Sequence, residues 1–152
     1  MNDLTINKKP RTYIPQDLKM EWDNLSPILD ELLKREINNV EELEKWLKDK
    51  SELEAALEED FAWRYIKMSC DTANEGLVKD FQYFATEIEP KISPLANELN
   101  KKFSESPFID ELDQAKYFVY IRAIKKALEL YREENIELFT QLQVTQQKYQ
   151  GI

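Results

Sequence analysis

Residues 39–72 read NVEELEKWLKDKSELEAALEEDFAWRYIKMSCDT, and this stretch decides the fold class of the chain. Its apolar residues recur mostly at intervals of three, four or seven: Val40, Leu43, Leu47, Leu53, Leu57, Phe61, Tyr65 and Met68. That spacing places an apolar stripe along one side of an α-helix. We therefore predict one long helix over about residues 40–71. At 1.5 Å per residue it is roughly 48 Å long, too long for a compact sphere, which predicts an elongated bundle.

Two capping patterns fall in this stretch. Asn39, or Asn38 before it, is suited to cap the start of the helix, with a glutamate three residues further on as its partner. A second pattern, Ser51 followed by Glu54, lies inside the helix and suits a break at residues 50–51. We favour an unbroken helix because the apolar stripe passes through this point without a change of phase.

The end of the stretch, FAWRYIKMSC at residues 61–70, is apolar on nearly all sides. Trp63 and Ile66 lie off the stripe, and they predict either a second layer of the core or a surface for an absent partner. Arg64 lies near the stripe, where a guanidinium needs a carboxylate or a carbonyl. The alternatives for it are an internal salt bridge to another helix and a contact with a peptide carboxylate or another domain. These three residues are the candidate interdomain or substrate-channel contacts.

The composition of the 152-residue chain predicts an all-α protein. Hydrophobic residues make up 42% of it, enough for a packed core, and a total of two glycines argues against hairpin-rich β structure. A net charge of −9 argues against nucleic acid or an anionic membrane as a partner. The single cysteine, Cys70, cannot form an internal disulfide, and no apolar run reaches transmembrane length. We therefore expect a cytoplasmic protein.

No catalytic or metal-binding residue is predicted within the chain. It contains no histidine, which excludes a histidine-ligated zinc site and a histidine-dependent catalytic triad. Its densest acidic group, EED at residues 58–60, occupies consecutive helical positions whose side chains point about 100° apart. Such carboxylates cannot converge on one acid–base site, so they predict a solvated face. Cys70 lacks a general base and is interpreted as structural.

Residues 1–24 predict an extended arm, because two prolines interrupt a mixture of apolar and polar residues that has no sustained period. The arm is expected to be anchored on the bundle by three side chains: Tyr13, Ile14 and Trp22. The first helix is predicted to follow, with Ser26 as its N-cap and Pro27 at its first position. It should end near Arg35.

A proline-containing helix is predicted over about residues 73–104. Thr72, with a glutamate three residues further on, forms a capping pattern at its start. The apolar period then runs straight through Pro90 and Pro94, each of which removes a helical hydrogen bond. The period favours one kinked helix and the prolines favour two. We expect either a kink or a short break at about residues 89–93.

The remaining residues predict a plug and two further helices. The plug closes the end of the bundle with Phe108, Ile109 and Leu112. A helix over about residues 113–133 presents a narrow apolar seam of Tyr117, Ile121, Ile124, Leu128 and Tyr131. A last helix has Leu138, Leu142, Thr145 and Tyr149 in register. Residues 25–152 thus predict a single all-α unit, an elongated antiparallel bundle of four to five helices.

Several segments, in order along the chain, resemble the N-terminal helical region of the oligoendopeptidase F family, zinc metallopeptidases similar to thimet oligopeptidase. The segments include RTYIP at residues 11–15, WDNLSP at 22–27, SELEA at 51–55 and WRYIKMSCDT at 63–72. Others are EIEPKISP at residues 87–94, LNKKFSESPF at 99–108 and the stretch over 132–149. None of them is a chemical motif, but together they cover the chain from about residue 11 onward.

The resemblance implies a cytoplasmic enzyme that hydrolyses short peptides at internal bonds. In that family zinc is held by the two histidines of a His-Glu-x-x-His helix and by a downstream glutamate, and the glutamate of the motif activates the metal-bound water. Because this chain has none of these residues, no catalytic or metal position can be transferred to it, and the chain alone should be inactive and hold no cofactor. The resemblance implies that residues 1–152 are the N-terminal part of a larger zinc peptidase, with its downstream catalytic domain and peptides as partners.

The first hypothesis is therefore a helical domain that forms one wall of a peptide channel. The alternative is a free-standing helical module for protein interaction or oligomerisation. A domain that has lost its catalytic partner should expose a larger apolar patch than monomers usually do. We expect this patch to include part of the side formed by residues 61–68 or the last helix.

Overall fold

The computed structural model describes residues 10–150 and is all-helical over that range, with no β-strand. Six α-helices follow one another: α1 (Trp22–Lys34), α2 (Val40–Cys70), α3 (Glu75–Tyr83), α4 (Glu89–Ser104), α5 (Gln114–Leu130) and α6 (Asn135–Gln150). A π-helical turn (Phe84–Ile88) joins α3 to α4, and a 3₁₀ turn (Ile109–Glu111) precedes α5. Since α3, the π turn and α4 are continuous, the described chain forms five long helical segments, which confirms the all-α bundle of four to five helices.

The long helix is unbroken, as its uninterrupted stripe predicts. α2 contains 31 residues, a length of about 46 Å. The side chain of Asn39 caps it by accepting a hydrogen bond from the N–H of Glu42 at 2.8 Å. The Glu42 carboxylate in turn accepts a hydrogen bond from the N–H of Asn38 at 2.8 Å. In a capping box this second bond comes from the N-cap residue itself, so here its donor is one residue earlier. The alternative break at Ser51 is wrong, because that residue lies within the helix.

The first helix begins earlier than its capping pattern predicts. α1 starts at Trp22, so the expected N-cap at Ser26 is wrong and Pro27 lies inside the helix. Residues 22–24, assigned above to the arm, are helical. The cause is tertiary: the Trp22 ring packs against the core cluster, and the Lys91 ammonium lies 5.5 Å from its centroid.

The described part of the arm, residues 10–21, follows the surface of the bundle without a helix, and residues 1–9 of the predicted arm lie outside the described range. Ile14 and Met20 are buried in the core. The Glu52 carboxylate accepts hydrogen bonds from the N–H groups of Thr12, Tyr13 and Ile14, at 2.8 to 3.0 Å. The arm is therefore fixed to the middle of α2 by buried side chains and by one carboxylate.

The proline-containing segment passes from α3 to α4 without a break. Asn74 caps α3 by accepting hydrogen bonds from the N–H groups of the second and third helical residues, so the expected cap at Thr72 is wrong. The π turn ends two residues before Pro90, which lies in the first turn of α4. A π turn changes the hydrogen-bond pattern where the missing proline N–H would otherwise interrupt it. Pro94 is accommodated inside α4.

Contacts between the helices establish their directions. Phe61 of α2 contacts Phe84, and Tyr65, one turn further along α2, contacts Phe81. The order of contacts is reversed, so α2 is antiparallel to the α3–α4 segment.

The Lys102 ammonium of α4 donates hydrogen bonds to three carbonyl groups at the end of α1. It thereby satisfies groups that a helix C-terminus leaves unpaired.

The last two helices lie one after the other along the α3–α4 segment. Tyr120 of α5 contacts Phe103 near the end of α4, with ring centroids 5.4 Å apart. Farther along, Gln143 of α6 bonds to Glu89, and Gln147 bonds to Gln82. α5 and α6 therefore both run opposite to α4, α5 beside its C-terminal half and α6 beside its start and the end of α3.

The core lies between α1, α2, α4 and α5. It is built from side chains that are at most 4% exposed: Leu25, Leu29, Leu32, Leu43, Trp46, Leu47, Leu53, Ile88, Leu99, Phe103 and Leu112. The plug is confirmed, because Leu112 is buried while Phe108 and Ile109 pack against the core. Of the predicted α5 seam, Ile124 is buried and Tyr117, Ile121 and Leu128 pack on the core cluster.

Candidate interdomain surface

Trp63 and Ile66 lie on the solvent-exposed face of the C-terminal half of α2. Their side chains are 48% and 45% exposed, large fractions for residues of this size and polarity. They are three residues apart on one helix, so they form neighbouring parts of one surface. We call this pair the Trp63 face. Of the two interpretations of these residues, the described chain supports an exposed surface rather than a second core layer.

Arg64 lies between the two but points into the molecule. Its Nε donates a hydrogen bond to Asp60 Oδ2 at 2.6 Å, and its NH1 donates to the carbonyl oxygen of Asp80 at 3.0 Å. Its guanidinium also lies over the Phe84 ring, 5.6 Å from the centroid. Arg64 thus joins α2 to the start of the α3–α4 segment. The structure separates the three candidate residues, with Trp63 and Ile66 exposed and Arg64 engaged in internal contacts.

An aromatic cluster underlies the internal side of this region. The rings of Phe61 and Phe81 are 5.4 Å apart between centroids, and those of Phe61 and Phe84 are 5.2 Å apart. Tyr65 is 6.1 Å from Phe81 and donates a hydrogen bond from its hydroxyl to Gln150 Oε1 at 3.0 Å. The end of α6 is therefore tied to the same part of α2 that carries the Trp63 face.

α6 presents its apolar side to solvent. Four large side chains on one side of the helix are 51% to 79% exposed: Leu138, Phe139, Leu142 and Tyr149. We call these the α6 outer face. The register of Leu138, Leu142 and Tyr149 is confirmed as one helical stripe, but that stripe faces outward. Both regions expected to contribute to an exposed apolar patch, residues 61–68 and the last helix, contain exposed apolar residues.

The inner side of α6 carries uncharged side chains, and its hydrogen bonds to the α3–α4 segment come from glutamines. Gln147 is 9% exposed, and its Oε1 accepts a hydrogen bond from Gln82 Nε2 at 3.0 Å. Gln143 Nε2 donates to Glu89 Oε2 at 3.1 Å. A helix that buries glutamines and exposes leucines has the reverse of the usual polarity for a surface helix.

The sequence contains one indication of this reversal, which is the absence of charged residues from the other side of α6. The inward positions of α6 contain no charged residue: Ile136, Thr140, Gln143, Val144 and Gln147. Uncharged polar side chains can be buried when they are hydrogen-bonded, so two sides of α6 were suitable for packing. The leucine stripe alone could not decide between them.

Comparison with known proteins places this fold in a family. A protein-family model described as the Peptidase M3 N-terminal domain matches residues 18–131. The chain belongs to this family. Searches of curated proteins and of solved structures found no match.

The matched residues run from the arm to the end of α5, and they include Trp63, Arg64 and Ile66. α6 lies C-terminal to the matched residues. In the described range, no helix combines the length and the apolar character that crossing a membrane requires. Within residues 10–150, no group of three or more His, Cys, Asp or Glu side chains is arranged to hold a metal ion.

Proposed function

We propose that this chain is the helical N-terminal domain of a cytoplasmic, zinc-dependent oligoendopeptidase, and that it forms one wall of the channel through which short peptides reach the catalytic centre. The family match over residues 18–131 is the observation that carries the proposal. The oligoendopeptidase F family is the specific group to which we assign it, on the sequence segments described above. In this role the domain excludes folded proteins and positions peptides, and it catalyses no step itself.

The zinc in this proposal belongs to a peptidase domain downstream in the same polypeptide. The residues of the present chain do not fit the metal, since the chain has no histidine and its described carboxylates form no metal-binding group. Zinc in peptidases is held by histidine and carboxylate ligands, which polarise and activate a bound water. We derive no catalytic step from this chain.

The Trp63 face and the α6 outer face are the surfaces that the proposal assigns to the peptidase domain. Trp63 and Tyr149 are 48% and 79% exposed, and aromatic side chains of this kind are enriched at the centres of interfaces. Burying them against a second domain removes apolar surface from water. Arg64 has no share in this contact because its hydrogen bonds are internal.

The experiment is to read the natural gene past the codon for Ile152 and to express the longer product. We expect a His-Glu-x-x-His sequence downstream and zinc-dependent cleavage of short peptides by the longer protein, with none by the 152-residue chain alone. A stop codon directly after Ile152, or zinc-dependent turnover by the isolated chain, contradicts the proposal.

The contact surface is tested in a two-piece system. The 152-residue chain and the separately expressed peptidase domain should associate, and the double variant Trp63→Ser, Ile66→Ser should weaken the association at least tenfold, because each aromatic or aliphatic anchor contributes more than about 1 kcal/mol. Glu36→Gln, an exposed change in the loop before α2, serves as the control and should leave the affinity unchanged. Equal affinities for all three proteins refute this assignment of the surface.

The alternative function is a free-standing helical module for interaction or oligomerisation. The exposed apolar residues of α2 and α6 favour it as well, because such patches mark protein-binding sites in general. Sedimentation of the 152-residue chain distinguishes the two. A stable oligomer that buries Trp63 and does not dissociate when the peptidase domain is added supports the alternative.

A further inference from the structure

A groove opens between α2 and the segment formed by the π turn and α4. Its floor is apolar and consists of Leu57, Phe61, Phe84 and Ile92. Phe61 and Phe84 are 5.2 Å apart between ring centroids; Phe61 is half-buried and Phe84 is 4% exposed. The volume of the groove is about 220 Å³, room for one extended side chain. Nothing in the described chain fills this space.

The rim of the groove is acidic. Glu54 and Glu58 of α2 and Glu89 of α4 all line it. Glu54 is neutralised by Lys50, whose Nζ lies 2.5 Å from Glu54 Oε1. Burial alone lowers the pKa of the Lys50 ammonium, but the Glu54 carboxylate and the Tyr120 hydroxyl together outweigh it and the pKa is raised, so Lys50 stays charged.

The other two carboxylates have no cationic partner among the described residues. Glu89 accepts a hydrogen bond from the neutral amide of Gln143 at 3.1 Å, and Glu58 is exposed at the rim. The Arg64 guanidinium lies over the Phe84 ring, 5.6 Å from its centroid, but its hydrogen bonds go to Asp60 and to a backbone carbonyl of α3, not to Glu58 or Glu89. The groove therefore retains negative charge above an apolar floor.

A small metal ion does not fit this combination. The three carboxylates are not arranged as a metal-binding group, and most of the lining is apolar. The complementary ligand is a cation on an apolar stem. Arginine and lysine side chains have this form, and the arginine guanidinium also stacks on aromatic rings.

We propose that this groove binds the basic side chain of a peptide. The aliphatic stem packs on Leu57 and Ile92, the guanidinium lies beside the Phe61 ring, and Glu58 and Glu89 supply the opposing charge. The proposal does not rest on the proposed function. Phe61 and Glu58 lie on one side of α2, and Trp63 lies about 180° around the helix from Glu54, so the groove and the Trp63 face are different surfaces.

The test uses the 152-residue chain and the peptide acetyl-Leu-Arg-Leu-amide. We expect saturable changes in the backbone amide NMR signals of Glu58, Phe61, Phe84 and Glu89. The same peptide with citrulline in place of arginine keeps the shape and loses the charge, and it should bind at least fivefold more weakly. Equal binding of the two peptides, or changes that map to other residues, overturns the proposal.

Two variants complete the test. Glu58→Gln removes an exposed charge and should weaken binding of the arginine peptide about two- to fivefold, and Glu58→Lys should weaken it further. Glu36→Gln removes one charge outside the groove and should leave the affinity unchanged. Identical affinities for Glu58→Gln, Glu58→Lys and the unaltered chain overturn the proposal even if the arginine peptide binds. These outcomes are independent of whether a longer protein cleaves peptides.

Discussion

At the scale of single residues, two carboxylates hold the N-terminal arm and α1 in place. For Glu52, desolvation acts to raise the pKa, but hydrogen bonds from the N–H groups of the arm outweigh it and lower the pKa to about 2. For Glu31, two hydrogen bonds from the Arg35 guanidinium, each 2.7 Å long, are the main cause of a pKa of about 2. Both groups are stronger acids than an ordinary glutamate because the fold stabilises their charged forms.

A pH dependence of stability follows from Glu52. Its folded pKa lies below the ordinary 4.5, so its contribution is complete above about pH 4.5 and is lost as the pH falls to about 2. Glu52→Gln should lower the free energy of unfolding by about 1–2 kcal/mol at pH 7, because hydrogen bonds to a charged acceptor are replaced by weaker ones. This difference should shrink between pH 4.5 and pH 2, as measured by urea denaturation. Glu36→Gln is the control, and a constant difference for Glu52→Gln over this range contradicts the prediction.

At the scale of the helix, α2 shows how a local pattern and a long period compete. Ser51 and Glu54 have the sequence of a cap, yet Ser51 lies inside an unbroken helix of 31 residues. The stripe is buried on both sides of this point, at Leu47 before it and at Leu53 after it. Burial of a continuous stripe is worth more than one cap, so tertiary packing decides the outcome. The prolines of the α3–α4 segment are overridden in the same way, with a π turn as the adjustment.

The two candidate caps of α2 should differ in their effect on stability. Asn39→Ala should cost about 1 kcal/mol, because it leaves the N–H of Glu42 without its side-chain acceptor. Ser51→Ala should be neutral or stabilising by up to about 0.5 kcal/mol, because alanine is the better helix former in an exposed helix interior. Both changes are measured by urea denaturation at one pH. A cost for Ser51→Ala equal to that for Asn39→Ala contradicts the continuous helix.

At the scale of the whole molecule, the α6 outer face and the Trp63 face both carry apolar residues that the bundle itself does not use. α6 packs on the α3–α4 segment through Gln143 and Gln147 and turns its leucines outward. The Trp63 face on α2 is exposed as well. An isolated chain with such surfaces should be less soluble than its net charge of −9 suggests.

The α6 outer face should be removable without harm to the fold. Phe139→Gln and Leu142→Gln should each change the free energy of unfolding by less than about 0.5 kcal/mol, because both side chains are more than half exposed. They should also lower the binding of a fluorescent apolar dye. Leu99→Ala is the matched change in the core, where the side chain is 3% exposed, and it should cost about 2–5 kcal/mol. A large loss of stability for either α6 variant contradicts the outward orientation.

The sequence by itself determined the all-α class, the long helix, the proline-containing segment and the plug. These features rest on periods and caps that act over a few residues or along one helix. The candidate surface was predictable in part. Trp63 and Ile66 could be singled out because they lie off the stripe, but the same pattern also suited a second core layer.

Tertiary structure alone decided the direction in which these side chains face. The start of α1 at Trp22, the internal bonding of Arg64 and the outward leucines of α6 each depend on residues distant in sequence. The groove is another such feature, since Glu58 and Glu89 are on different helices. A helical period identifies which residues share a side of a helix. Which side is buried depends on packing and hydrogen bonding with all neighbouring helices. These interactions involve residues distant in sequence, so a local pattern cannot predict them.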